Sequence, residues 1–191
     1  MTPRRWLAAA VCVAGLAACS PTPSGPTDAP SGSSDAPSGN DERAEAEELL
    51  RSEGYLADDG SVEFGPAGPG TDEVDVHEAL CTYVFGAEGE VAERAGLDEA
   101  VLADGSGYRM LGANGSGVEC AWGAPEAPVL VLASWGSSDR FDDDEDALEV
   151  LVELPDGVGV AHYDPDSDVE RLPADELEEW LTEAPAVTQS V

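Results

Sequence analysis

Residues 107–135 read GYRMLGANGSGVECAWGAPEAPVLVLASW, and this stretch decides the fold. Three segments within it, 107–111, 118–122 and 129–135, are rich in apolar, aromatic and β-branched residues, which favour strands. Residues 112–117, between the first two segments, contain three Gly and one Asn, and these residues are typical of tight turns. The stretch therefore predicts consecutive antiparallel strands.

The same pattern continues toward the C-terminus. We expect further strands at 148–154 and 158–163 and a short one at 169–172, with turns of Pro, Asp, Gly and Ser between them. Pro173 then opens an acidic helix that ends at Glu183. The apolar residues that this helix is expected to bury are Leu177, Trp180 and Leu181.

Helical patterns precede the strands. The apolar residues of 72–86 recur with the period of a helix face, and 88–95 predicts a second short helix that stops at Gly96. The face of the first helix is formed by Val74, Val76, Leu80, Cys81, Val84 and Phe85. Helices beside a run of hairpins predict an α+β fold, with an antiparallel sheet of about five strands packed with N- and C-terminal helices. Trp122, Trp135 and Trp180 are expected to fill the core between sheet and helix.

The N-terminal residues have the pattern of an export signal. Arg4 and Arg5 precede an apolar run at 6–18, which is shorter than the ~20 residues needed to span a bilayer. The run ends in Leu16-Ala17-Ala18-Cys19, which resembles the lipobox of bacterial lipoproteins. This resemblance implies that residues 1–18 are a lipoprotein signal peptide and that Cys19 carries a thioether-linked diacylglycerol. The alternative is an ordinary secretory signal with a chance cysteine.

A tether follows the predicted lipidation site. Residues 20–40 read SPTPSGPTDAPSGSSDAPSGN and contain no large apolar side chain, so they cannot bury enough surface to order themselves. We therefore expect 19–40 to be a lipidated, disordered tether and 41–191 to form a single domain. The helix predicted at 41–53 has few apolar residues and is expected to dock weakly, which places the start of the core at about Asp72.

Two cysteines, Cys81 and Cys120, lie in the predicted domain. In an oxidising compartment an even pair favours a disulfide, which would close a loop of about 40 residues and contribute ~4 kcal/mol on the chain-entropy model. A zinc site would need four ligands and a reactive thiol would need a basic neighbour, and neither pattern surrounds Cys81. The pair is therefore predicted to form a structural disulfide.

The chain is strongly acidic. Its 191 residues hold 41 Asp and Glu against 8 basic residues, all of them Arg, and the formal net charge is -33. This charge argues against nucleic acid as a partner, because phosphates need basic side chains, and against docking on anionic lipid. One hypothesis for the acidity is a halophilic surface, and cation binding is another.

The sequence lacks the familiar catalytic motifs. It holds two histidines, His77 and His162, and neither a Gly-x-Ser-x-Gly elbow nor, without any Lys, a phosphate-binding P-loop. We therefore expect a non-enzymatic protein without a cofactor. Both histidines are interpreted as polar surface or satisfied core residues.

Two acidic segments remain to be explained. The run DDDED at 142–146 is interpreted as a solvated, self-repelling loop. Asp164, Asp166 and Asp168 mimic the start of a calcium-binding loop and are the candidate Ca²⁺ ligands, although Val169 stands where that loop needs Gly. An ordinary turn without metal is the alternative.

The cysteine pattern resembles a known group of proteins. A helix that carries a Cys, a Gly-rich stretch and then Cys120-Ala121-Trp122 leading into strands is similar to small secreted lipoproteins of high-GC actinobacteria, including a family of unknown function. The resemblance covers about residues 72–163. It implies a disulfide-bonded α+β domain on the outer cell envelope and implies no catalytic residues. The size of the acidic excess departs from that group, so haloarchaeal lipoproteins are a second possible source.

These observations predict a lipoprotein held at the outer face of the cell membrane by the lipid on Cys19. Its expected role is binding or scaffolding, with an unknown envelope protein or cell-wall ligand as the partner. The alternatives are an extracytoplasmic lipoprotein that binds a solute or Ca²⁺ and, third, an extracytoplasmic hydrolase. The sequence leaves the oligomeric state open.

Overall fold

The computed structural model describes residues 38–110, 115–124, 127–136 and 150–189. Within these ranges the predicted α+β class and the antiparallel sheet are confirmed. In chain order the elements are α1 (Gly39–Glu53), β1 (Val62–Phe64), α2 (Val74–Phe85), α3 (Glu88–Ala95), β2 (Val101–Leu102), β3 (Gly107–Met110), β4 (Ser116–Ala124), β5 (Ala127–Trp135), β6 (Val150–Leu154), β7 (Gly157–Tyr163), α4 (Ala174–Glu183) and β8 (Val187–Gln189).

The main sheet has six strands, and its pairings are all antiparallel. Its order is β2-β4-β5-β7-β6. The remaining strand, β3, pairs with β4 on the same side as β2. Leu132 of β5 lies opposite Cys120 of β4 on one side and opposite Ala161 of β7 on the other. The five longer predicted strands are all present, with ends shifted by a few residues.

The short strand predicted at 169–172 was wrong. Those residues run as an irregular segment into α4. The reason is topological, because β7 already pairs with β5 on one side and with β6 on the other, so the chain that follows β7 finds no open edge beside it.

Helix α1 docks more firmly than its sequence predicted. Ser38 precedes the helix and donates from its backbone N–H and its Oγ to the carboxylate of Asp41, at 3.3 and 2.9 Å. Leu50 is completely buried and Ala46 nearly so, and they belong to the same core as α2. The expectation that the core starts at about Asp72 was therefore wrong, because two apolar residues one helical turn apart suffice to bury one face of α1.

One strand of a small parallel sheet, β1, also precedes the predicted start of the core. β1 pairs with β8, with Val62 opposite Val187, and the two apolar residues of β1, Val62 and Phe64, are fully buried. Gly and Pro are frequent in residues 60–70, and this composition is typical of a turn-rich connector rather than of a strand. A strand of three residues carries little periodicity of its own, and its partner lies near the other end of the chain.

The predicted disulfide is confirmed. Cys81 on α2 and Cys120 on β4 are bonded, with their Cα atoms 5.8 Å apart, and both are buried. The bond fixes α2 to β4 of the main sheet. Trp180 of α4 adds a second link to α2, because its indole N–H donates to the carbonyl of Phe85 at 3.1 Å.

The two faces of the sheet carry separate apolar clusters. Leu177, Trp180 and Leu181 of α4 are buried, as predicted, and they share the main core with Trp122. Trp135 belongs instead to a smaller cluster with Ala133, Val158 and Val160. Its expected place between sheet and helix was therefore wrong, because it lies an odd number of residues from Leu132 and so points to the opposite face. No helix in the described part of the chain is both long and apolar enough to cross a membrane.

Candidate ligand-binding cleft

A cleft of about 540 Å³ lies where three segments meet. One wall is the connector at 67–71, the second is the first half of α2, and the third runs from Leu102 through β3 to Met110. The volume lies within the range of pockets that hold small ligands or a few side chains of a partner.

The rim of the cleft is apolar and exposed. Val74, at the first position of α2, is 55% exposed, and Met110, at the last position of β3, is 53% exposed. Val74 was predicted to be part of the buried helix face, and the structure corrects this, because Val74 lines the cleft whereas Val76 of the same turn is buried in the core. Adjacent exposed apolar side chains around a concavity are typical of binding sites.

His77 holds the floor of the cleft together. Its Nε2 lies 3.0 Å from the carbonyl oxygen of Gly70, and its Nδ1 accepts the backbone N–H of Tyr108 at 3.1 Å. Since Nδ1 accepts, Nε2 carries the proton and donates to Gly70. The imidazole therefore ties the connector and β3 to α2, and it plays a positioning role.

The same contact explains the glycine at the start of β3. Gly107 has a φ of 113°, and a Cβ on it would lie 2.6 Å from the Nδ1 of His77. Only a residue without a side chain therefore lets β3 approach α2 this closely.

Tyr108 forms the inner wall beside His77. Its ring packs edge-on against Phe64 with ring centroids 4.6 Å apart, and a Cβ on Gly68 would overlap the Tyr108 ring. Burial raises the pKa of the Tyr108 phenol above its ordinary value. Its hydroxyl oxygen is buried and has no hydrogen-bond partner within the described residues.

The charges around the cleft are mainly acidic. Glu78 of α2 and Asp104 of the β2–β3 turn line it, and Arg109 is the basic residue among the lining side chains. The Nε of Arg109 donates to the carboxylate of Glu119 at 3.3 Å, and both side chains are well exposed. The positive charge of Arg109 is thus partly offset before any ligand arrives.

Two polar side chains of this cleft are engaged in hydrogen bonds to the backbone. Both ring nitrogens of His77 are engaged in hydrogen bonds to backbone groups, so His77 has no lone pair to offer a nucleophile. The hydroxyl of Ser106 is also engaged, since it accepts the backbone N–H of Ala121 at 3.1 Å. The cleft thus combines an apolar rim, acidic residues in its lining and a floor held by the hydrogen bonds of His77.

The structure does not bring the candidate Ca²⁺ ligands together as a site. The carboxylate of Asp164 accepts the backbone N–H of Asp166 at 2.9 Å, which is the hydrogen bond of an ordinary Asp turn. Across the ranges that the structure describes, no three Asp, Glu, His or Cys side chains form a group that could hold a metal ion, and Asp168 joins no such group.

Other predicted features lie elsewhere. His162 is on β7, away from the cleft lining. The predicted signal peptide at 1–18, the lipidation site Cys19, the tether up to residue 37 and the acidic run at 142–146 lie outside the described residues.

Sequence reasoning missed the residues that shape the cleft, chiefly Val74, Tyr108 and Met110. A faint signal was present, because Tyr108 and Met110 alternate with Arg109 as the residues of a half-buried strand do. The alternation indicates which face they share and not whether that face is covered.

Comparisons of the chain with protein-family models, with curated proteins and with solved structures gave no match. No activity or partner of a relative is therefore transferred to the cleft. The resemblance to actinobacterial lipoproteins stays a prediction.

Proposed function

We propose that this protein is a cell-envelope lipoprotein, anchored at the outer face of the membrane through Cys19, whose folded domain binds a partner in the cleft. The role is one of binding rather than catalysis. The N-terminal pattern that ends in Leu16-Ala17-Ala18-Cys19 supports the anchor. The buried disulfide between Cys81 and Cys120 supports an oxidising, extracytoplasmic location, since such bonds are rare in reducing compartments.

The observation that carries the binding role is the exposed apolar rim. The large apolar side chains in the described part of the chain that are strongly exposed are Val74, Met110 and Leu151, and the first two line the same cleft. Leaving such side chains in water forgoes the stabilisation of burying them, roughly 25 cal/mol per Å². A partner that covers them recovers this free energy on binding.

A solute is the second candidate for the ligand. The volume of about 540 Å³ is large enough for a small molecule. A photocrosslinker placed at the rim distinguishes the two candidates. It yields an adduct of clearly higher mass with a macromolecular partner but not with a solute.

The anchor is tested by lipid labelling in cells. Cells that express the full chain are fed an alkyne-tagged palmitate and then fractionated. Wild type is expected to be labelled and membrane-bound, Cys19→Ala to be unlabelled, and the control Cys12→Ala to behave as wild type. Labelled, membrane-bound Cys19→Ala protein would contradict the anchor.

The cleft is tested by photocrosslinking in intact cells of the native host. Met110→p-benzoylphenylalanine carries the trap, and Leu151→p-benzoylphenylalanine is the matched control, because Leu151 is 43% exposed on β6 at the opposite edge of the sheet. We expect a discrete adduct of higher mass from position 110 and none from position 151. Equal trapping at both positions, or none at position 110, would argue against a macromolecular partner at the cleft.

A further inference from the structure

We propose that His77 is a pH-sensitive clasp in the floor of the cleft, which holds β3 against α2 while its imidazole is neutral and releases β3 when the imidazole takes up a proton. The clasp consists of the two hydrogen bonds of the His77 ring, one to Tyr108 of β3 and one to Gly70 of the connector. It is a property of the free protein, and only its consequence for a partner rests on the proposed function.

The chemistry of the two partners fixes the protonation state of the ring. A backbone N–H can only donate, so the Nδ1 that lies 3.1 Å from the nitrogen of Tyr108 has to accept, and this role requires its lone pair. A carbonyl oxygen can only accept, so the Nε2 that lies 3.0 Å from the oxygen of Gly70 has to carry a proton. The two contacts therefore select the neutral ring.

Protonation affects the two hydrogen bonds differently. The imidazolium carries a proton on each nitrogen, so two N–H groups would face each other at the contact with Tyr108, and the bond to β3 is lost. At the contact with Gly70 Nε2 already donates, and a positively charged donor makes the stronger hydrogen bond. Acid should therefore detach β3 from the ring and leave the connector attached.

The position of His77 lets solvent protons reach the ring in the folded state. The side chain is half-buried and lines the cleft, so its protonation does not require unfolding. The ring also lies very close to β3, because a Cβ on Gly107 would be only 2.6 Å from Nδ1. Relief of the contact between the two N–H groups therefore requires the ring and β3 to move apart.

The charged and titratable groups around the ring come from α2, from the residues before it and from the third wall of the cleft. They are Asp72, Glu73, Glu78, Asp104, Tyr108 and Arg109. The carboxylates favour the imidazolium, because negative charges stabilise a nearby cation, whereas the N–H of Tyr108 opposes it. The phenol of Tyr108 stays protonated at acidic pH, since burial raises its pKa. We therefore expect the change between about pH 7.5 and about pH 5, the range in which histidine side chains ordinarily titrate.

The test is NMR spectroscopy of the full chain, labelled with ¹⁵N and purified in a non-ionic detergent. A hydrogen bond between two nitrogens transmits a scalar coupling, so a coupling between the Tyr108 amide nitrogen and the Nδ1 of His77 reports this bond directly. We expect the coupling at about pH 7.5 and its loss at about pH 5, where the ¹⁵N shift of Nδ1 should show that it is protonated. A ring that is still neutral at the lower pH, or no coupling at the higher pH, would overturn the clasp.

Amide hydrogen exchange measures the release of β3. The protection factor of the Tyr108 amide, which already corrects for the intrinsic effect of pH on exchange, should fall about tenfold or more across the same range. The amide of Arg109 is the internal control, because β4 rather than His77 holds it. An equal fall at both amides would indicate general loosening of the strand and would count against a local clasp.

The two histidines of the chain supply a matched pair of variants. His77→Gln stays neutral throughout, so the protection of the Tyr108 amide should no longer depend on pH. His162→Gln is the control, because His162 lies on β7 away from the cleft lining, and it should keep the acid response of wild type. An acid response that survives in His77→Gln would overturn the proposal. If His77→Gln fails to fold, the nitrogen coupling still decides the question on the wild-type protein.

The outcomes separate the clasp from the proposed function. The crosslink at position 110 is recorded at neutral pH, where the clasp is closed, and it reports only on the partner. An adduct together with a coupling that persists in acid would support the proposed function and overturn the clasp. Loss of the coupling in acid without any adduct would support the clasp and argue against a macromolecular partner.

Discussion

Two buried tyrosines with opposite hydrogen-bonding states give a sharp test of the cleft floor. Tyr83 and Tyr108 are 8% and 9% exposed. The hydroxyl of Tyr83 donates to the carbonyl of Gly60 at 2.8 Å, whereas the hydroxyl of Tyr108 has no partner among the described residues. Replacing either tyrosine by Phe removes one hydroxyl oxygen, and the two side chains are buried to a similar degree.

The expected effects differ in sign. Tyr83→Phe loses a hydrogen bond and leaves a carbonyl unpaired, which should lower the free energy of unfolding by about 1–1.5 kcal/mol. Tyr108→Phe removes a buried polar group that has no partner, which should leave that free energy unchanged or raise it by about 1 kcal/mol. Denaturant unfolding at neutral pH, followed by tryptophan fluorescence, measures both variants against wild type. A loss for Tyr108→Phe as large as that for Tyr83→Phe would refute the structure assigned to the cleft floor.

The same pair makes a prediction at alkaline pH. Burial raises the pKa of both phenols, so the folded state holds these protons more tightly than the unfolded chain. Their contribution to stability is complete below the ordinary tyrosine pKa of about 10 and is lost as the pH rises through the folded pKa. Tyr108→Phe should therefore lose less stability than wild type between about pH 9 and pH 11. An identical alkaline loss in the two proteins would contradict this role of Tyr108.

Three further predictions follow from the fold. The double variant Cys81→Ala/Cys120→Ala opens a loop with a sequence separation of 39 residues and should lose about 4 kcal/mol in denaturant unfolding, so an unchanged midpoint would contradict the stabilising role of the bond. His77→Phe removes both hydrogen bonds of the imidazole and should cost about 1–2 kcal/mol, and a variant that melts with wild type would show that His77 does not hold the cleft floor. NaCl should raise the melting temperature of this chain of charge -33, and CaCl₂ at matched ionic strength should act alike, so a rise specific to low calcium would reveal a metal site.

The elements that the sequence predicts well are those whose signal is local. α3 has the predicted bounds, because acidic residues begin it and Gly96 ends it in a left-handed conformation. The strand that carries Trp122 and the helix that carries Trp180 have clear periods of two and of 3.6. The disulfide was predicted from the cysteine count and the expected compartment. In each case the evidence lies within a few residues or in the composition.

The features that escaped prediction depend on contacts between distant segments. β1 and β8 are short, and Val62 pairs with Val187 near the other end of the chain. The cleft depends on His77 meeting both the connector and β3, and no local pattern encodes that meeting. The exposure of Met110 likewise depends on whether another segment packs over its side chain, and the periodicity of the sequence does not report this.

The measurement that tests the central claim most directly is amide hydrogen exchange at Arg109 and Met110, followed by NMR. Neighbouring residues on β3 direct their amides to opposite sides, so the Arg109 N–H should be held by β4 and the Met110 N–H should face the cleft. The account predicts slow exchange for the amide of Arg109 and fast exchange for the amide of Met110. Slow exchange of the Met110 amide, or equal exchange of the two amides, would contradict it.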